Sequence, residues 1–144
     1  MSEAEGFSAA QVERLTGINA KTLHFWDRSG FLSPSLVQAH GTGSRRVYSF
    51  RDLVALRVAA QLRDAGISLQ SLRKVVAVLR DMRSLENPLA ETYLITNGHD
   101  VFEKRGDEVM SVLRQPGQSV FSFVIDLTRT VEQLQADIRQ THTA

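Results

Sequence analysis

At 144 residues the chain has room for one domain, or for one small domain with an appendage, and 42% hydrophobic and 23% charged residues are ordinary for a globular protein. It contains no cysteine, which excludes disulfides, iron–sulfur clusters and thiolate metal sites together. The net charge of +1 hides a basic front, +5 over residues 1–85, and an acidic back, −4 over residues 86–144, as suits a nucleic-acid-binding half joined to a half with another task.

No apolar run approaches the ~20 residues of a membrane span. The opening stretch, Met1 to Gly6, is small and acidic and lacks an apolar signal core, so a cytoplasmic protein without membrane contact is expected. His40, His99 and His142 are scattered without ligand spacing, which predicts no metal site. No nucleophile stands beside a base and no carboxylates are paired for acid–base work, so neither an enzyme nor a cofactor is expected.

In chain order, Ser8 and Gln11 have capping-box spacing and open a first helix with Val12 and Leu15 facing inward. Gly17 closes it, Ile18 plugs the turn, and Asn19 is a good N-cap for a second helix over residues 20–29. Helix, short turn, helix is the spacing of a helix-turn-helix. On the second helix Lys21, His24, Phe25 and Arg28 fall at i, i+3, i+4 and i+7, a basic and aromatic face. Thr22, Leu23 and Trp26 fall on another, which can seat the helix on a core. Gly30 stops the helix, and Phe31 and Leu32 return inward.

Residues 36–40 and 45–49 flank Gly41-Thr42-Gly43-Ser44 and predict a β-hairpin wing, with Arg45 and Arg46 just past its tip. Ser49 and Asp52 cap a third helix over residues 50–65, with Leu53, Leu56, Ala60 and Leu62 inward. Ser68 caps a fourth, in which Leu69, Leu72, Val75, Val76, Leu79 and Met82 keep a helical period to about Ser84. Asn87-Pro88 breaks it.

Beyond Pro88 the texture changes. Residues 93–96 and 100–104 read as strands around Asn97-Gly98, a strong hairpin signal. Residues 108–113 fit a strand or a short helix, residues 115–118 a turn, and residues 120–127 a strand. Thr128 can cap a last helix carrying Val131, Leu134 and Ile138 on one side. Asp100, Glu103, Asp107 and Glu108 read as a solvated acidic hairpin edge that discourages aggregation. The expected fold is mainly α with small β: residues 1–86 a winged helix-turn-helix of four helices and a hairpin wing, and residues 87–144 a small α/β unit.

Four segments, taken together, resemble the MerR family of bacterial regulators. Phe7 to Val12 followed by Leu15-Thr16-Gly17-Ile18 is similar to the family's opening. Thr22-Leu23-His24-Phe25-Trp26-Asp27 with Gly30-Phe31-Leu32 occupies the place of its recognition helix and the glycine-leucine-leucine that follows. Arg46-Val47-Tyr48-Ser49 with Asp52-Leu53 looks like its arginine-x-tyrosine wing end, and Leu62 to Leu69 like its arginine-rich turn before the fourth helix. The resemblance covers about residues 7–80.

It implies a homodimer on a pseudo-palindromic promoter site in double-stranded DNA, placed between the two core promoter elements where RNA polymerase binds. Lys21, Phe25 and Arg28 fall where family recognition helices touch DNA, and Arg46 falls on the wing. His24 can reach a base edge or a phosphate, the Phe25 ring can pack on sugar or a thymine methyl, and the Tyr48 hydroxyl can bond a phosphate. Arg45, Arg57 and Arg63 are further phosphate candidates, and Trp26 is expected in the core. His24 replaces a usual arginine and Trp26 a usual tyrosine, which leaves base preference open. The long antiparallel pairing helix of family dimers has little room after Pro88, so residues 93–138 are expected to form the dimerisation or interaction unit. Two other readings stay open: a DNA-architectural protein similar to excisionases, and a protein-interaction module with residual DNA binding.

Overall fold

The structure, a computed structural model, describes residues 6–37, 46–83, 85, 87–98, 100–106, 108–113 and 123–143. It is mostly helical with two small antiparallel sheets. The elements are β1 (Phe7–Ser8), α1 (Ala9–Thr16), α2 (Ala20–Arg28), β2 (Val47–Tyr48), α3 (Phe50–Asp64) and α4 (Leu69–Arg83). They continue with α5 (Pro88–Glu91), β3 (Tyr93–Thr96), β4 (Val101–Arg105), β5 (Glu108–Ser111), β6 (Phe123–Ile125) and α6 (Leu127–Thr143).

Local caps set the helix starts. Ser8 Oγ accepts from Gln11 N (3.3 Å) while Gln11 Oε1 accepts from Ser8 N (2.8 Å). Ser49 and Asp52 make the same reciprocal pair at α3. Gly17 ends α1 at φ 75°, a left-handed conformation that suits glycine because it has no Cβ to clash.

The centre of the molecule is α3. The sequence pattern points to one inward stripe, but α3 also buries Val54, Ala55, Val58 and Ala59, so it is apolar nearly all round. A helix of that kind needs neighbours on every side. Helices α1, α4, α5 and α6 and strand β6 supply them. One continuous core runs from Val12 and Leu15 through α3 to Leu89, Leu94, Leu134 and Ile138. Polar bonds follow the same route. Arg57 on α3 donates Nε–H to the Leu15 carbonyl (2.8 Å) and pairs with Asp137 on α6, and Gln61 Nε2 donates to Thr130 Oγ1 (3.1 Å). These bonds hold Arg57 to the protein rather than free for a phosphate.

Strand β2 pairs with β1, placing Phe7 opposite Tyr48. Val47 also bridges Val37, with Val47 N donating to Val37 O (2.8 Å). The expected wing tip, residues 41–44, lies outside the described residues, as does the Gln115–Gln118 turn. A Cβ on Gly6 would come within 2.4 Å of Val47 Cγ1, so the approach of the N-terminal segment to β2 depends on that glycine.

The second sheet has the order β5-β4-β3-β6, all antiparallel. Residues 108–111, which fit either a strand or a helix by sequence, form a strand. The β3–β4 connection is four residues long, not a two-residue turn: Thr96 pairs with Val101, and Asn97 Oδ1 accepts from Asp100 N (2.8 Å). Asp126, not Thr128, caps α6; its Oδ1 accepts from Arg129 N (3.0 Å), while Thr128 Oγ1 bonds the Tyr93 hydroxyl.

The acidic stretch is not one solvated edge. Asp100 is 1% exposed. Its Oδ1 accepts from Val101 N (2.7 Å) and Leu113 N (2.9 Å), and its other oxygen accepts from the Ser111 hydroxyl. Glu103 is also buried and lies 3.6 Å from Arg105 Nε, whereas Glu108 is exposed. Asp107 lies outside the described residues.

Candidate nucleic-acid interface

Asn19 starts α2 by accepting from Thr22 N through Oδ1 (2.8 Å). Leu23 and Trp26 point into the core. Phe31 meets Trp26 edge to face, with centroids 5.2 Å apart and planes at 86°. These contacts fix the roll of α2, and the roll determines what faces solvent. Lys21, His24, Phe25 and Arg28 are all exposed, and Phe25 is 53% exposed, so its ring is outside the core. Neither Lys21 nor Arg28 forms an ion pair with another described residue. Two cations without an ion-pair partner among the described residues, and an outward ring, on one helical face suit phosphate and base-edge contact.

The other predicted residues are placed differently. Arg46 turns back onto α2: its Nε donates to Asp27 Oδ2 (2.6 Å), and its Nη2 donates to His24 Nδ1 (2.8 Å). It therefore ties the strand to the helix instead of pointing away from it. With Nδ1 accepting, neutral His24 carries its proton on Nε2, which leaves an N–H for an outside acceptor. Arg63 lies with its guanidinium 6.0 Å from the Trp26 ring centroid and 3.6 Å from Asp64, and is partly exposed. Arg45 lies outside the described residues. The signal the sequence did not offer is Arg73, which donates from Nη1 to the Ser29 carbonyl (3.2 Å) and fastens α4 to the end of α2.

The expectation for Tyr48 is corrected. It is 1% exposed, stands opposite Phe7 of β1, and its hydroxyl has no hydrogen-bond partner among the described residues, so it is a core residue that a phosphate does not reach here. Burial first, and the nearby Asp27 carboxylate second, push its ionisation up to about 12. The folded pKa is raised above the ordinary value of 10.0. Stability from keeping this phenol neutral is therefore full below pH 10 and is lost as pH rises toward about 12. Tyr48→Phe should flatten that alkaline decline in urea melts run across the range. At neutral pH the same substitution is expected to hold stability or raise it by up to about 1 kcal/mol, because it removes a buried hydroxyl that bonds no described residue.

A helix-turn-helix packed on a third helix, with a basic and aromatic face turned outward, defines a nucleic-acid-binding class of protein. A model of the family described as MerR HTH family regulatory protein matches residues 7–79, and the chain belongs to that family. An uncharacterised HTH-type transcriptional regulator of Mycobacterium tuberculosis is 35% identical over 123 residues, covering 85% of this chain and 54% of that protein. A putative heat shock protein HspR of Streptomyces coelicolor is 31% identical over 86 residues, 59% of this chain and 54% of that protein. The HTH-type transcriptional regulator HmrR of Sinorhizobium medicae is 27% identical over 71 residues, 49% of this chain and 46% of that protein. The chain spans about half the length of these curated relatives. The family is regulatory rather than enzymatic, and its match, with two relatives named as HTH-type transcriptional regulators, supports DNA-binding transcription regulation. Among the described residues no helix is long and apolar enough to cross a membrane.

Proposed function

We propose that this protein regulates transcription in the cytoplasm by binding a pseudo-palindromic promoter site as a homodimer, with α2 in the major groove. The observation that carries the reading is the outward face of α2, on which Lys21, His24, Phe25 and Arg28 stand together while Leu23 and Trp26 hold the helix down. Lys21 and Arg28 contact phosphates, the His24 Nε2–H and the Phe25 ring meet base edges or a thymine methyl, and Arg45 and Arg63 add phosphate contacts at the flanks. Arg46 acts by fixing the wing root to α2. Residues 1–86 form the DNA-binding part and residues 87–144 pair two copies. Exposed Val109 and Met110 on β5, whose outer edge pairs with no described strand, support that pairing. Bound between promoter elements, the dimer sits where RNA polymerase engages.

Lys21→Ala and Arg28→Ala are each expected to weaken binding on every DNA sequence and to lower the slope of log K against log salt by about one. Fluorescence anisotropy with a labelled duplex across a salt series measures both. Unchanged affinity and slope in both variants would refute the placement of α2 on DNA.

A further inference from the structure

We propose that His24 reads guanine at one position of each DNA half-site through its Nε2–H, and that Arg46 is the positioning residue that sets this donor. The inference rests on the DNA-binding reading and deepens it, from a face that meets bases to one ring nitrogen and one base.

Arginine carries donors and no acceptor. Arg46 Nη2 lies 2.8 Å from His24 Nδ1, so Nδ1 is the acceptor in this contact and bears no proton. The neutral ring then holds its proton on Nε2. The two nitrogens of an imidazole point to opposite sides of the ring, so the Nε2–H is directed away from Arg46. His24 is exposed, and its Nε2 has no partner among the described residues. Arg46 is held in turn. Its Nε donates to Asp27 Oδ2 at 2.6 Å, and the two side chains are only 19% and 14% exposed. Asp27, Arg46 and His24 thus form one chain of bonds that starts and ends on α2 and passes through the root of the wing segment. The chain fixes the tautomer and the tilt of the ring, so less freedom is lost when the ring meets a base.

A ring in this state is a donor only. In the major groove cytosine offers its amino donor and adenine an N7 acceptor beside an amino donor. Thymine offers O4 beside a methyl, and guanine two adjacent acceptors, N7 and O6. A lone N–H therefore bonds guanine best and finds no acceptor on cytosine. The charges around the ring act in the same direction. Arg46 stands behind it, and Lys21 and Arg28 lie about one turn to either side on the same face. The nearby carboxylate, Asp27, is already paired with Arg46. Positive surroundings favour the electronegative edge of guanine. Lys21 and Arg28, placed on phosphates, carry no sequence information, which leaves the choice of base to His24 and the Phe25 ring.

The test has two parts, both on the full chain. Nitrogen NMR of the imidazoles in the free protein, at about pH 8 on the neutral side of ordinary imidazole, reads the His24 ring, assigned by its loss in His24→Ala. The proton is expected on Nε2 with Nδ1 as a hydrogen-bonded acceptor, and Arg46→Met is expected to abolish the hydrogen-bond shift at Nδ1. The second part is selection from a pool of random-sequence duplexes. The parent is expected to enrich a motif with a guanine in each half-site that His24→Ala no longer requires, while the other positions persist. Cytosine in place of that guanine should weaken the parent about tenfold and His24→Ala less than about twofold. Arg46→Met should lose at least about threefold of the guanine preference and keep the rest of the motif, whereas a merely structural arginine would weaken every position alike. The inference is overturned if Nδ1 carries the proton, or if His24→Ala keeps the parent's motif at every position, which would put the imidazole on a phosphate. Both of those outcomes leave the DNA-binding reading standing. A parent that enriches no motif overturns the inference together with that reading.

Discussion

Trp26→Ala should lower the free energy of unfolding by about 3–5 kcal/mol, the usual cost of deleting a large buried aromatic. The indole is the main anchor of α2. It is buried beside Leu23, meets Phe31 edge to face, and lies under the Arg63 guanidinium. Alanine would leave a cavity that the neighbouring helices can only partly close. Trp26→Phe keeps a ring against Phe31 and should cost less than half as much. Urea melts of the two variants, read by circular dichroism, measure the difference. A loss below about 1 kcal/mol for Trp26→Ala would mean that α2 is seated by its caps and not by its core face. The consequence for function is direct, because the outward set of Lys21, His24, Phe25 and Arg28 is defined by what α2 buries on its other side.

The second large effect is expected in the C-terminal sheet. Asp100→Ala should cost about 2–4 kcal/mol, since it strips an acceptor from two buried backbone N–H groups and from the Ser111 hydroxyl. Asp100→Asn retains an oxygen for Val101 N and Leu113 N and sets its amide against Ser111, so its cost should be clearly smaller. Equal and small losses in both variants would contradict the role of this carboxylate as the tie between β4 and the end of β5. Hydrogen exchange at the Leu113 amide, expected to speed up in the alanine variant, gives a local check.

The contrast between these two residues shows what the sequence could convey. Trp26 was legible because helical period and capping are local: Asn19, Leu23 and Trp26 lie within two turns, and the same holds for Ser8 with Gln11 and Ser49 with Asp52. Asp100 was not. Its oxygens are used by Ser111 and Leu113, which reach it only once β4 and β5 have paired. Among acidic neighbours in a hairpin it had every mark of a solvated residue. The bonds of Arg46 were hidden for the same reason, since its partners Asp27 and His24 lie 19 and 22 residues away on another element. Its likeness to a wing arginine says where the backbone runs and not which way the side chain turns. Tyr48 is buried by Phe7, from a two-residue strand too short to announce itself. The all-round burial of α3 was present in Val54-Ala55-Leu56 and Val58-Ala59-Ala60, a continuous apolar run that a one-stripe reading passes over. The outward face of α2 was read from spacing alone, and the structure brings those four side chains together on one exposed surface.

The measurement that bears most directly on the central claim is capture of genomic DNA fragments by the purified protein, followed by a footprint on the best site. The account predicts an inverted repeat between promoter elements, protected on both half-sites and retained at moderate salt. Capture spread over the genome with no shared motif, and lost as salt is raised, would mean that α2 grips phosphates only and would contradict a site-specific dimeric regulator.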